Sequence, residues 1–324
     1  MIVKIIFILI KFLIMAVPVL ISVAFLTLFE RKILGYSQLR KGPNVIGIYG
    51  LLQPFADGVK LFTKEIVIPN HVNIGLYFIA PMLSLSIAIT VWSLIPYNTN
   101  IILSNIDVNL LAVLAFSAIS VYAILISGWG SNSKYAFLGA MRAAAQMISY
   151  EISLGLILIT IILCSNTFNF QIIVEEQFNS CWYIFPLLPA AIMFFISGLA
   201  ETHRAPFDLT EGESELVSGY NVEYSSMSFA LFFLAEYSHI IFMSTLFSII
   251  FLGGYSLFYF NSVSILFFKA TFIIFMFIWI RTSFPRLRYD QLMYLLWKTY
   301  LPFSLSLIII TNSLLWALNS LLVY

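Results

Sequence analysis

Along the chain, long stretches almost free of charge alternate with short ones that hold most of the polar residues. A helix needs about 20 apolar residues to cross the hydrocarbon core of a bilayer. Eight segments come close to or exceed that length, near 5–29, 72–95, 109–128, 143–164, 182–200, 227–252, 263–280 and 300–322. The pattern predicts an all-α integral membrane protein, a single membrane domain over 1–324 with eight transmembrane helices. The opening run, MIVKIIFILIKFLIMAVPVLISVAFLTLF, is too long for the core of a cleaved leader and reads as a permanent span.

The connection after the first span predicts a helix of its own, over about 54–66. In LLQPFADGVKLFTKEIVI, Pro54 suits a helix start. Asp57, Lys60 and Lys64 then share one face, with Phe55, Val59, Phe62 and Ile66 opposite and Leu61 as the misfit. Such a helix either lies in the membrane interface or lines the mouth of a site open to lipid. The pattern fits both.

Composition sharpens the class. The 324 residues are 61% hydrophobic and 10% charged, against about 25% charged in ordinary soluble domains. A net charge of +1 and the lack of a basic arm argue against a nucleic-acid partner. Cys164 and Cys181 have no metal-ligand spacing, and His71, His203 and His239 are scattered, so any redox centre is expected on another chain. Of the 16 Lys and Arg residues, all but Lys4, Lys11 and Lys269 fall in the odd-numbered connections. The positive-inside rule puts those connections in the cytoplasm or the mitochondrial matrix, with both termini on the other side. Lys11 and Lys269 can snorkel to an interface and receive no role.

Ionisable groups within spans are costly and usually face protein or a wet cavity. Glu30 and Arg31 close the first span, Glu201 closes the fifth, and Glu151 and Glu236 lie well inside the fourth and sixth. On the fourth, Arg142, Gln146, Ser149 and Ser153 form one stripe and Glu151 projects from the other side, near Ala144 and Gly155. Those small neighbours point Glu151 into a tight helix interface or a small wet cavity; a simple tie to Ser or Tyr on a neighbouring helix is the alternative. Glu236 and His239 share a helix face, as a proton-handling pair or a hydrogen-bonded buried one. The connection 201–226 collects Glu201, Asp208, Glu211, Glu213, Glu215 and Glu223. Carboxylates held together raise one another's pKa values and can exchange protons near neutrality, whereas a solvated acidic loop is the plainer reading.

The blocks FERKILGYSQLRKGPNVIGIYGLLQPFADGVKLFTKE (29–65), GSNSKYAFLGAMRAAAQMISYE (130–151), AETHRAPFDLTEGESELVSGYNVEYSS (200–226), AEYSHI (235–240) and IRTSFPRLRYDQLMYLLWK (280–298) resemble, in order, the subunit 1 family of NADH:ubiquinone oxidoreductase, respiratory complex I, in its mitochondrial form. The resemblance implies a proton-translocating membrane subunit of the mitochondrial inner membrane, at the junction with a redox arm whose subunits carry NADH, FMN and iron–sulfur clusters. Ubiquinone would be the substrate, and other membrane-arm subunits and lipids the further neighbours. By the same resemblance, Glu30, Arg31, Arg40, Asp57, Lys60, Arg204, Arg281 and Arg286 line the quinone tunnel. Glu151, Glu201, Glu211, Glu213, Glu215 and Glu236 relay protons or charge, and His203 has no family role. A secondary transporter and a purely structural anchor for the redox arm are the rival classes.

Overall fold

The computed structural model describes residues 2–99, 103–104, 106–208, 218–257 and 260–321, with side chains over 10–317. Helices run as α1 (Ile2–Ser37), α2 (Gln53–Thr63), α3 (Ile74–Val91), α4 (Asn109–Gly130), α5 (Lys134–Ser165), α6 (Phe170–Asn179), α7 (Leu188–Glu201), α8 (Ser226–Phe251) and α9 (Val263–Ser283). A short α10 (Tyr289–Tyr294) continues through a π-helical turn, Leu295–Tyr300, into α11 (Leu301–Leu321). Among the described residues, seven helical segments are long and apolar enough to cross a membrane.

The segment expected at 182–200 does not reach that length. Its helix starts at Leu188, because Pro186 and Pro189 withhold backbone donors and Pro189 fits only the first turn. Fourteen residues at 1.5 Å each span about 21 Å, short of a hydrocarbon core of about 30 Å. Other boundaries also move. The first helix runs on to Ser37, so Glu30 and Arg31 lie within it rather than at its end. The amphipathic helix stops at Thr63, and Lys64 is already extended, which takes Lys64 and Ile66 off the expected faces.

Helix α8 is the centre of the bundle. Most of its apolar length is buried, whereas little of Tyr289–Ala317 is, and α1, α2, α3, α6, α7 and α9 all pack on it. The last helix lies outside, against α5. Helices α4 and α5 approach closely where Gly128 meets Ala140, so closely that a Cβ on Gly128 would collide with that methyl. Residues after α8 form a short antiparallel pairing, Ser256 with Asn261 and Leu257 with Phe260. Lys269 does not snorkel, since it is buried, and its Nζ donates to the carbonyls of Leu252 (2.5 Å), Gly254 (3.0 Å) and Ser256 (2.6 Å). It caps acceptors that the end of α8 leaves open.

Candidate functional site

The site is built around the turn that follows α7. Gln146, fully buried on α5, donates from Nε2 to the carbonyls of Ala200 (2.8 Å) and Phe207 (3.0 Å), pinning both ends of the turn. The Leu287 N–H bonds Pro206 (3.0 Å), and Arg286 pairs with Asp208 at 2.8 Å, which ties the turn to the connection after α9. His203 sits at φ +52 within it, a left-handed conformation that side chains rarely adopt. That geometry swings the His203 ring inward while Arg204, the next residue, reaches α1.

Four side chains from three helices and the turn meet there. Glu30 on α1 accepts from Tyr237 Oη of α8 (2.7 Å), from Arg204 (3.3 Å) and from Arg281 of α9. The Arg204 guanidinium also lies over the Tyr237 ring, 4.4 Å from its centroid. Burial opposes the charge on Arg204, yet Glu30, Tyr237 and Glu236 outweigh it and hold its pKa above the ordinary value. Arg204 stays cationic. Two guanidinium groups on one carboxylate leave the cluster net positive.

On one side of this cluster lies a cavity of about 450 Å³ whose lining includes Arg31, Asp57, Lys60, Phe62, Phe233 and Tyr237. Arg31 on α1 bonds Asp57 on α2 at 2.6 Å, and Gln53 donates to the other oxygen of Asp57 (3.1 Å). The outer face of α2 leaves Phe55, Val59 and Phe62 exposed. Two serines at the start of α8 hold α2 in register. Ser226 Oγ donates to the carbonyls of Leu61 (3.0 Å) and Lys64 (2.7 Å), and Ser225 Oγ exchanges bonds with the N–H and C=O of Val67.

On the other side lies a smaller cavity, about 50 Å³, into which Glu201, His203, Tyr220, Glu236 and His239 project, with Ser84 and Ser120 at its walls. That is room for a few waters among polar partners. Tyr220 donates its hydroxyl to Glu236. Tyr220 itself is seated by the turn Gly219–Asn221 against α5. Glu151 lies within electrostatic reach of Glu201 and accepts from Ser117 of α4 at 3.4 Å. It thus faces the α4–α5 contact and has a serine tie as well. Burial first, then the nearby His239 and Arg204, pull the His203 imidazole down to about 4.

Of the residues singled out from sequence, Glu30, Arg204 and Arg281 meet in one cluster. Arg31, Asp57 and Lys60 gather at the larger cavity, and Glu201 and Glu236 at the smaller. Arg286 pairs apart with Asp208, and Arg40 is exposed in the turn after α1, where its N–H bonds Gly35. Glu211, Glu213 and Glu215 lie outside the described residues. Sequence reasoning missed Tyr237, Gln146, Tyr220 and Ser117. Tyr237 adjoins Glu236 in AEYSHI, and Gln146 stands on the polar stripe of α5, so both carried a faint signal; a serine tie for Glu151 was expected without its position, and Tyr220 carried no signal.

A family model described as NADH dehydrogenase matches residues 10–312. The chain belongs to the NADH dehydrogenase family. It is 60% identical over 324 residues to NADH-ubiquinone oxidoreductase chain 1 of Metridium senile, covering 99% of this chain and 97% of that one. It is 52% identical over 318 residues to the chain 1 of Chondrus crispus, covering 96% and 97%. A bacterial relative, an NADH-quinone oxidoreductase subunit from Paramagnetospirillum magneticum, is 51% identical over 306 residues, covering 93% and 89%. The bundle described above is therefore that of a multi-pass NADH dehydrogenase family member.

Proposed function

We propose that this chain, a core membrane subunit of an NADH-ubiquinone oxidoreductase, forms the membrane mouth of the ubiquinone path and couples quinone reduction to proton movement through its buried carboxylates. The larger cavity fits the mouth, because its walls are apolar while Arg31, Asp57 and Lys60 offer polar contacts to a headgroup. The outer face of α2 then rests in the membrane interface, and α7, with the turns before it, completes an eighth crossing. The basic connections face the matrix side of the mitochondrial inner membrane, where the redox-arm subunits dock.

The observation that supports this reading is a run of polar side chains between the two cavities, hydrogen-bonded from Tyr237 to Arg204 and electrostatic from Arg204 to His203. Tyr237 lines the larger one and donates to Glu30; Glu30 holds Arg204; Arg204 adjoins His203; and His203 shares the smaller cavity with Glu201 and Glu236. Quinone reduction adds electrons and draws protons in a poorly solvated space. At 4 Å a new unit charge is worth roughly 4 kcal/mol at an effective dielectric of 20, about three pKa units. A change of that size decides whether a neighbouring carboxyl keeps its proton, so charge at the mouth alters protonation at Glu201, Glu236 and Glu151 in turn. Arg40 and Arg286 complete the matrix-side rim in this proposal, and Glu211, Glu213 and Glu215 keep the proton-relay role that the resemblance implies.

The test is Glu201→Gln in the assembled complex. Most quinone-dependent turnover is expected to disappear while the redox arm still reduces a soluble acceptor. Unchanged turnover and unchanged proton pumping would refute a necessary protonation step at Glu201.

A further inference from the structure

Beyond the carboxylates, the smaller cavity holds the imidazole of His203. His203 is only 8% exposed, and among the described residues neither of its ring nitrogens has a hydrogen-bond partner. Both nitrogens are strong hydrogen-bonding groups, and leaving them unsatisfied in a buried place is costly. The backbone accepts a left-handed conformation at His203 and so turns the ring into the cavity rather than away from it. Among the described residues, the titratable groups facing it are Glu201 from α7, Arg204 from the turn, Tyr220 from the Gly219–Asn221 turn, and Glu236 and His239 from α8. From α3 and α4 the polar lining is Ser84 and Ser120, with Ile124 beside them. The ring thus stands among water-sized space and carboxyls, with an open donor and an open acceptor.

We infer that His203 is a proton-relay residue, joining the carboxyl of Glu201 to that of Glu236 through water in the shared cavity. This deepens the reading above and rests on it. Neutral imidazole has one N–H and one nitrogen lone pair. In the transfer, the lone-pair nitrogen takes a proton from a water hydrogen-bonded to one carboxylic acid. The N–H on the opposite side of the ring passes its proton to a water beside the other carboxylate. The donor acid becomes a carboxylate, the acceptor carboxylate becomes an acid, the waters are restored, and one proton has crossed. The ring is left in its other tautomer, and a rotation about its side-chain bonds resets it. Because burial and Arg204 hold the ring neutral at physiological pH, it can both accept and donate. His239, three residues beyond Glu236 on the same helix, borders the route and keeps the ring's surroundings polar.

The test uses the whole complex in membrane vesicles, with His203→Gln as the deciding variant and His203→Leu beside it. Glutamine still offers a donor and an acceptor to water, but an amide does not pass protons through its own atoms. For His203→Gln, quinone-dependent turnover is expected to fall by about tenfold or more, as loss of a proton-transfer group does. The KM for quinone and the reduction of a soluble acceptor should stay unchanged, and the solvent deuterium isotope effect on turnover should rise. His203→Leu should be at least as slow; should it fail to assemble, His203→Gln decides alone. Turnover at the parent rate in His203→Gln overturns the inference, as does slow turnover with an unaltered isotope effect, which marks a structural role. If Glu201→Gln is silent, the wider reading has failed. If Glu201→Gln is dead and His203→Gln is not, only this inference has.

Discussion

Replacing Glu30 with glutamine perturbs the most buried charge cluster of the protein's described residues. The side chains of Glu30 and Arg204 keep only 7% and 13% of their exposure, against 31% for Arg281. At the 3.3 Å that separates Arg204 from Glu30, a unit pair at an effective dielectric of 20 is worth about 5 kcal/mol. Glutamine removes that attraction and leaves two guanidinium groups side by side, of which only Arg281 can reach water. Some of the loss returns, because a carboxylate no longer has to be desolvated. The net cost is then about 3–5 kcal/mol, the usual penalty for stranding one member of a buried pair. Adding Arg204→Met takes away the stranded cation, so the double variant should recover about 2 kcal/mol relative to Glu30→Gln. Large membrane complexes inactivate irreversibly, so the measurement is the rate of thermal loss of quinone reductase activity in membranes. Glu30→Gln should inactivate fastest, the double variant more slowly, and the parent slowest. A single variant as durable as the parent, or a double variant less durable than the single, would refute the cluster's electrostatic account.

Further outcomes follow from other parts of the site. Gly139→Ala sets a Cβ 2.8 Å from the backbone of Gly219, which must move and carry Tyr220 with it; a loss of about 1–3 kcal/mol in stability and slower quinone turnover are expected, and full activity would contradict the seating of Tyr220. Arg31→Met breaks an ion pair whose members are 49% and 35% exposed, so thermal inactivation should change by no more than about 1 kcal/mol while the KM for quinone rises several-fold; an unchanged KM would remove Arg31 from the mouth. His203 has a folded pKa of about 4 against about 6.5 in an unfolded chain. Between those values the unfolded chain binds the proton and the folded one does not. The stabilisation from a neutral His203 is complete above about pH 6.5 and fades by roughly 3 kcal/mol as pH falls towards 4. His203→Gln should flatten that part of the pH dependence of thermal inactivation, and an identical profile in both proteins would count against the buried neutral ring.

Most of the bundle was legible in the sequence because membrane spans announce themselves by length. Helices α3, α4, α8 and α9 begin and end within a few residues of their apolar runs. The shortness of α7 was not legible from hydropathy, since Pro186 and Pro189 leave the run apolar while delaying the helix. Charges were visible as candidates, but their pairings were not. Glu30 meets Arg204 and Arg281 across 174 and 251 residues of sequence, a choice made by helix packing that no local pattern encodes. Lys269 was misjudged for the same reason, because its acceptors are backbone carbonyls exposed only by the way α8 ends. His203 had no periodic pattern to mark it, and its importance rests on a backbone turn and on an empty hydrogen-bonding capacity that appear only in three dimensions.

The serine clasp between the second helix and the central one grips main-chain atoms alone, at Leu61, Lys64 and Val67. Its hold is therefore blind to which side chains α2 carries outward. Phe55, Val59 and Phe62 can drift with the lipids of a given membrane without shifting the helix that carries them, whereas losing the two small hydroxyls would unlatch that helix and leave every bulky residue around it in place.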